Sequence, residues 1–223
     1  VAAAGEDRHL DRCERLRGRW LRNARRNGRE AAPTRPQGHL LSRRRLLESY
    51  RPDAAAFPRS LLGNAYSGYP DERWLDIRRI DRLAPILRKR FDLCAGKGFD
   101  AVEPDNVAGY ENETGFPLSG RDQLRFNRWV AREVHRRGMS VALKNDPEQV
   151  RQLLRYFDFA VVEECFAYEE CGRFSPFVAA GRAVFEAEYE SSPASFCPAA
   201  AELRFSAIRK GYDLFAAPWI PCG

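Results

Sequence analysis

Apolar residues gather into six short runs: Trp74–Ile77, Phe99–Val102, Ser140–Leu143, Phe159–Val162, Ala183–Ala187 and Phe205–Ile208. Each is apolar at successive rather than alternate positions, the pattern of a strand buried on both faces of a parallel sheet. Helical spacing fills the intervals. Leu83, Ile86, Leu87 and Cys94 share one face, and Gly98 follows as a stop. A second helix opens at Ser119 with Asp122 near its third position, turns Leu124, Val130, Ala131 and Val134 inward, and meets Gly138. Asp146-Pro147-Glu148-Gln149 reads as a helix start, with Asp146 as the cap and Gln149 completing a capping box. Val150, Leu153, Leu154 and Phe157 form its buried face, and Phe174, Phe177 and Val178 mark a further helix ended by Gly181. Strand–helix alternation predicts an α/β fold with a parallel sheet. No Gly-rich phosphate fingerprint opens any helix, so a TIM (β/α)8-type barrel fits better than a dinucleotide fold.

Charge changes this picture at one end only. The 223 residues carry 37 Lys and Arg against 31 Asp and Glu, a formal net charge of +6. A basic chain invites a nucleic-acid reading. Residues 1–50, however, hold 13 Arg and 6 acids, whereas the rest holds 24 basic and 25 acidic residues. The excess is confined to a segment with weak hydrophobic periodicity and few β-branched residues, which is poor strand material. A nucleic-acid-binding arm, a disordered linker and a wrong-frame translation each account for such a segment. No apolar run reaches the ~20 residues of a membrane span. The Arg-studded N-terminus has no following apolar stretch of the kind a secretory signal needs. The expected organisation is an Arg-rich segment at 1–47, disordered or frameshifted, and a barrel domain at 48–223.

Polar groups collect where the apolar runs end. Asp76 lies within the first; Glu103, Asp105 and Asn106 close the second; Lys144, Asn145 and Asp146 close the third; Glu163 and Glu164 the fourth; Glu186 and Glu188 the fifth. In a barrel these ends form one rim, which carries the chemistry. Two flanking carboxylates are the minimal machinery of glycoside hydrolysis, and crowding among them helps keep one protonated. Plainer roles compete. Asp146 reads first as a helix cap, one of Glu186 and Glu188 as a buried salt-bridge partner, Lys144 as a neutralising charge, and Glu103 as a turn residue before Pro104.

Six cysteines add a constraint. Cys165 and Cys171 enclose a loop that a local disulfide can close, and Cys197 and Cys222 can tie the last helical region to the C-terminus. Cys94 is expected as a buried thiol. Two such bridges indicate an oxidising compartment, while the alternative that all six are thiols stays open. The absence of CxxC and HxxxH spacings argues against zinc.

The strings ESYRPDAAAFP, GNAYSGYPDERWLDIRR, GFDAVEPDNVAGYENETGFPL, LKND, VVEECFAYEEC and AVFEAEY, spread from Glu48 towards the C-terminus, resemble glycoside hydrolase family 114, the endo-α-1,4-polygalactosaminidases. The resemblance implies a TIM-like barrel that cleaves α-1,4-linked galactosamine polymers of microbial exopolysaccharide. Asp105 and Glu163 match the family's catalytic pair, as nucleophile and general acid/base of a retaining mechanism. Asp76, Glu103, Asn106, Tyr110, Lys144, Asn145, Glu164 and Glu188 are expected to line the sugar site. A commoner family form has Asn-Glu-Gln before the Cys. Val162-Glu163-Glu164 here adds a carboxylate beside the proposed acid, whose like charge favours keeping that acid protonated. An acidic rim suits galactosamine, a cation at neutral pH, and opposes a phosphate or nucleic-acid partner. The implied enzyme is extracellular and monomeric, acts on a polysaccharide, and needs no cofactor, metal, membrane or nucleic acid. A catalytically inactive carbohydrate-binding relic is the alternative.

Family members supply two barrel strands before SYRPD, with strings like VYDVD and VICYxSAGSYE, and residues 1–47 contain neither. Back-translated through GC-rich codons and shifted by one base, Cys13–Arg26 yields ANVYEVDGSETPAA, Asn27–Leu41 yields TVAKLHQRDPKVIC, and Ser42–Leu47 yields PAGGSY. The segment therefore reads as a frameshifted translation. The barrel is expected two strands short, poorly soluble and weakly active.

Overall fold

The computed structural model describes residues 39–43, 46–215 and 217–223. In chain order the strands and α-helices are β1 (His39–Arg43), β2 (Leu46–Glu48), β3 (Leu62–Tyr66), β4 (Tyr69–Leu75), α1 (Ile80–Gly96), β5 (Ala101–Asp105), α2 (Gly120–His135), β6 (Ser140–Lys144), α3 (Val150–Leu153), β7 (Phe159–Glu163), α4 (Ser175–Ala179), β8 (Val184–Glu188), α5 (Pro193–Leu203), β9 (Ser206–Lys210) and β10 (Trp219–Pro221). The fold is α/β with parallel strands, and among the described residues they do not close into a barrel. The chain divides into two compact units that meet in sequence at residue 140.

In the first unit β1 runs parallel to β5, with His39 opposite Ala101 and Arg43 opposite Asp105. β1 lies inside the 1–47 segment, where the side chains argue against a strand. Backbone pairing to β5 supplies hydrogen bonds that do not depend on those side chains. Residues 1–38, Cys13 among them, and with them most of the segment read as frameshifted, lie outside the described residues.

β2, β4 and β3 form a separate antiparallel sheet in that order. This corrects the expectation that Trp74–Ile77 is a parallel barrel strand. Trp74 and Leu75 end β4, opposite Leu46 and Leu62. The reason is the connection: Tyr66 pairs with Tyr69 across Ser67-Gly68, with Gly68 at φ +80°. A two-residue turn joins antiparallel strands, whereas a parallel crossover needs a dozen residues or more. The loop 112–118 lies close against β3. Asn64 N donates to Thr114 O at 2.9 Å, and a Cβ on Gly63 would sit 2.0 Å from that same oxygen.

α1 buries Leu83, Ala84, Leu87, Phe91 and Cys94, with Ile86 half-buried, and the chain turns at Gly98 with φ +74°. α2 has the anticipated capping box: Asp122 N donates to Ser119 Oγ, and Ser119 N donates to Asp122 Oδ2. Its buried face is broader than the aliphatic pattern suggests. Phe126 and Trp129 join Val130, Ala131 and Val134, together with the polar Gln123, Asn127 and Glu133.

In the second unit β6, β7, β8 and β9 are parallel neighbours, and β10 returns antiparallel to β9. Phe157, Phe174, Phe177 and Phe196 are among its fully buried side chains. The helix start at Asp146-Pro147 exists, as a 3-10 turn leading into α3, but Asp146 does not cap it. Asp146 is buried in the left-handed region at φ +60° and makes no side-chain cap bond. An N-cap needs extended backbone angles, which this residue lacks. Cys165–Cys171 and Cys197–Cys222 are disulfides, which removes the all-thiol alternative, and Cys94 is buried in α1.

Candidate active site

In the first unit the relevant carboxylates follow β4 and end β5. Asp76, just past β4, is buried and held by Arg78 in a two-pronged ion pair, Nε to Oδ1 at 2.7 Å and Nη2 to Oδ2 at 2.8 Å. That bond to Asp76, ahead of a smaller opposing desolvation, raises the Arg78 pKa above its ordinary value. Glu103 is buried within β5. Asp105 ends the strand half-exposed, and its Oδ1 accepts the backbone N–H of Asn106 at 2.8 Å. Asn106 adopts φ +57°, a conformation that costs an L-residue energy and that clusters at functional sites. Gln123 and Asn127 of α2 steady the segment that follows. Gln123 Nε2 donates to Asn127 Oδ1 at 2.7 Å, and Asn127 Nδ2 donates to Val107 O at 3.1 Å. Tyr110 lies half-buried on the turn Gly109–Glu111.

In the second unit three strand ends bear on one carboxylate. Glu163 ends β7. Its Oε2 lies 2.9 Å from Lys144 Nζ at the end of β6, and its Oε1 accepts Tyr189 Oη at 2.6 Å from just beyond β8. Its own backbone N–H donates to Asn145 Oδ1 at 2.9 Å. The lysine side chain is 5% exposed and that of Glu163 30%, so a buried cation grips a carboxylate that solvent still reaches. A charge-assisted bond of this kind is stronger than a neutral one because little water competes for it. Asn145, Asp146 and Glu164 all have positive φ, so the chain is sharply re-aimed after β6 and again after β7. Glu164 accepts Tyr212 Oη at 2.7 Å from the segment after β9.

The two carboxylates of β8 differ from this pattern. Glu188 accepts the N–H groups of Phe166 and Ala167 on Oε1 and the Ser191 hydroxyl on Oε2. Glu186 is 0% exposed. Burial first, then a hydrogen bond with the neighbouring Glu188 and the charges of Glu188 and Glu163, push the Glu186 pKa up to about 10, so it is neutral at pH 7. Neither residue is the salt-bridge partner that the strand pattern allowed.

Lys144, Asn145 and Glu163 are thus brought into direct contact, and Asp105 meets Asn106. The sequence reading missed Tyr189 and Tyr212, whose rings stack at 4.6 Å between centroids and 28° between planes. Tyr189 sits in the AVFEAEY string and was within reach. Tyr212 has no local signal, because its partner Glu164 is 48 residues away. Among the described residues no cluster of His, Cys, Asp and Glu is arranged to hold a metal ion, and no helix is long and apolar enough to cross a membrane.

Comparisons with known proteins add to this geometry. The model of glycoside-hydrolase family GH114 matches residues 46–222. Among solved structures, Aspergillus fumigatus Ega3 in complex with galactosamine is similar at a TM-score of 0.74 and 30% identity, covering 87% of this chain and 79% of that one. The glycoside hydrolase domain of PelA from Pseudomonas aeruginosa is similar in fold, at a TM-score of 0.56 and 14% identity over 74% of each chain. A variant of that domain gives 0.59 and 13%, covering 82% of this chain and 80% of that one. No curated protein matches the chain.

Proposed function

The chain belongs to glycoside-hydrolase family GH114 and is a glycoside hydrolase, and on that premise we propose that it cleaves α-1,4-linked galactosamine polymers through Asp105 and Glu163. Asp105 is the nucleophile. Its carboxylate bonds to the anomeric carbon as the glycosidic C–O bond breaks, and Glu163 gives its proton to the leaving oxygen. Water then loses a proton to Glu163 and attacks the same carbon, freeing Asp105 with net retention. Glu163 must bind and release a proton in each cycle. Tyr189 suits it in both states, since a hydroxyl donates to a carboxylate and accepts from a carboxylic acid. Lys144 only donates and steadies the carboxylate that remains after protonation of the leaving group.

The observation that carries this reading is the grip of Lys144 and Tyr189 on Glu163 at a strand end. The galactosamine in the Ega3 complex and the carboxylates of Glu163, Glu164 and Glu188 support an amino-sugar substrate. Asp76, Glu103, Asn106, Tyr110, Asn145 and Glu188 shape the site around it. Two disulfides fit an extracellular enzyme that meets its polysaccharide outside the cell.

The test is product analysis on de-N-acetylated α-1,4-polygalactosamine. The full chain is expected to release oligosaccharides whose first-formed anomer is α. Asp105→Asn and Glu163→Gln are expected to release them at least about 100-fold more slowly. Wild-type protein that binds the polymer without cleaving it supports the inactive-relic reading instead.

A further inference from the structure

Tyr212 and Tyr168 are large aromatic side chains left open to solvent, 60% and 68% exposed. Neither is loosely placed. Tyr189 covers one face of the Tyr212 ring at 4.6 Å, and the Tyr212 hydroxyl is fixed on Glu164. The segment that carries Tyr212 is tied back through Cys197–Cys222. Tyr168 stands on a turn closed by its own N–H to Glu164 O at 3.0 Å, inside the loop stapled by Cys165–Cys171. A rigid aromatic face that is open to water loses little entropy when a flat, partly apolar surface settles on it.

Carboxylates lie close to these rings. Glu164 accepts the Tyr212 hydroxyl, and Glu190 and Tyr168 lie close enough to act on the same phenol. The Glu164 hydrogen bond first, then desolvation and the charges of Glu164 and Glu190, push the Tyr212 pKa up to about 12. The neighbouring ring of Tyr189 donates to Glu163, so this surface begins one ring away from the proposed acid.

We propose that Tyr168 and Tyr212, with the carboxylates of Glu164 and Glu190, form a binding subsite for a second protonated amino-sugar unit of the polymer, next to the unit cleaved at Glu163. The C–H face of the sugar stacks on the tyrosine rings, and its ammonium group pairs with the carboxylates. The two recognitions are distinct: the rings select a pyranose face, and the carboxylates select a free amine over an acetylated one. The subsite rests on the amino-sugar reading above and makes the enzyme prefer polymer to monomer.

The experiment measures binding to the full-length Glu163→Gln protein, in which cleavage is slowed at least about 100-fold. The probes are galactosamine, its α-1,4-linked pentamer, and the fully N-acetylated pentamer. Adding Tyr212→Ala is expected to weaken the cationic pentamer about 10-fold, and Tyr168→Ala about 5-fold, with the monomer unchanged in both. The unchanged monomer also shows that each variant is folded. Tyr212→Phe keeps the ring and is expected to lose about 3-fold or less. Glu190→Gln is expected to flatten the salt dependence of pentamer binding, and the acetylated pentamer is expected to bind more weakly than the cationic one throughout. Equal pentamer affinity in the parent and both alanine variants overturns the subsite alone. A parent that binds neither the monomer nor the cationic pentamer overturns the amino-sugar reading and the subsite with it.

Discussion

The ends of β5 and β7 each present one carboxylate proposed for the reaction, and the contacts that surround them differ. Asp105 is half-exposed, and its Oδ1 accepts the backbone N–H of its own neighbour, Asn106. Glu163 is gripped by side chains from β6 and from beyond β8. The contrast matches the two tasks. A nucleophile needs to be ionised and open to a carbon atom. A group that alternately donates and accepts a proton needs partners that tolerate both states and stop it rotating away. The support behind each differs as well. A chain of neutral amides, Gln123 and Asn127, steadies the segment after β5, whereas a lysine and a tyrosine hold Glu163 itself, and a second tyrosine stacks on the first.

This comparison is open to attack at several points, the largest effect first. Asp105→Asn is expected to cost about 10⁴-fold in kcat, and Glu163→Gln about 10²–10⁴-fold. Activity retained in the Asp105 variant assigns the nucleophile elsewhere. Lys144→Met and Tyr189→Phe are each expected to lower kcat about 10-fold with KM nearly constant, since they steady the proton carrier and not the sugar. A rise in KM alone, measured over a range of polymer concentrations, would place them in binding instead.

Glu186 tests the electrostatics of the second unit without touching the reacting groups. Its folded-state pKa, about 10, lies above the ordinary value of 4.5. The unfolded chain releases this proton first as pH rises, so stability should fall between pH 4.5 and 10. Glu186→Gln should remove that slope and stabilise the protein by about 1–3 kcal/mol at pH 8. Urea unfolding at pH 5, 7 and 9 measures both slopes, and equal slopes dispose of the idea.

The first unit should respond with the opposite sign. Glu133 is buried, with Arg88 as its strongest partner and Arg137 and Arg136 beside it, and these hold its pKa below the ordinary value. Its contribution is present above the unfolded pKa of about 4.5 and is lost as pH falls through the lower folded value. Glu133→Gln is therefore expected to cost about 1–2 kcal/mol at pH 7 and little at pH 3. The smallest effect belongs to the capping box of α2, where Ser119→Ala is expected to cost about 1 kcal/mol in thermal unfolding.

Much of this arrangement is legible along the chain. The last five apolar runs became strands because burial on both faces leaves a local mark. Asp105, Lys144, Asn145 and Glu163 sit at strand ends for the same reason. The runs could not tell a parallel strand from an antiparallel one. Trp74–Leu75 reads like its neighbours, and only the Ser67-Gly68 turn sends it into a hairpin. Nor could they recognise strands whose pairing rests on backbone bonds, as at His39–Arg43. Asp146 shows a different limit. Its sequence context is that of a helix cap, but a capping residue works through its backbone angles, and the run of left-handed residues after β6 removes them.

The sequence by itself determined which carboxylates stand at strand ends, which cysteines are spaced to pair, and which family the motifs resemble. All of these depend on residue type and short spacing. Only the tertiary structure decided what each carboxylate meets. It set Tyr189 and Lys144 on Glu163, Tyr212 on Glu164, Arg78 on Asp76, and it left Glu186 buried beside Glu188. A hydrogen bond is decided at about 3 Å between atoms that the chain separates by tens of residues. Strand spacing and the crossing helices set that distance, and no local pattern encodes it.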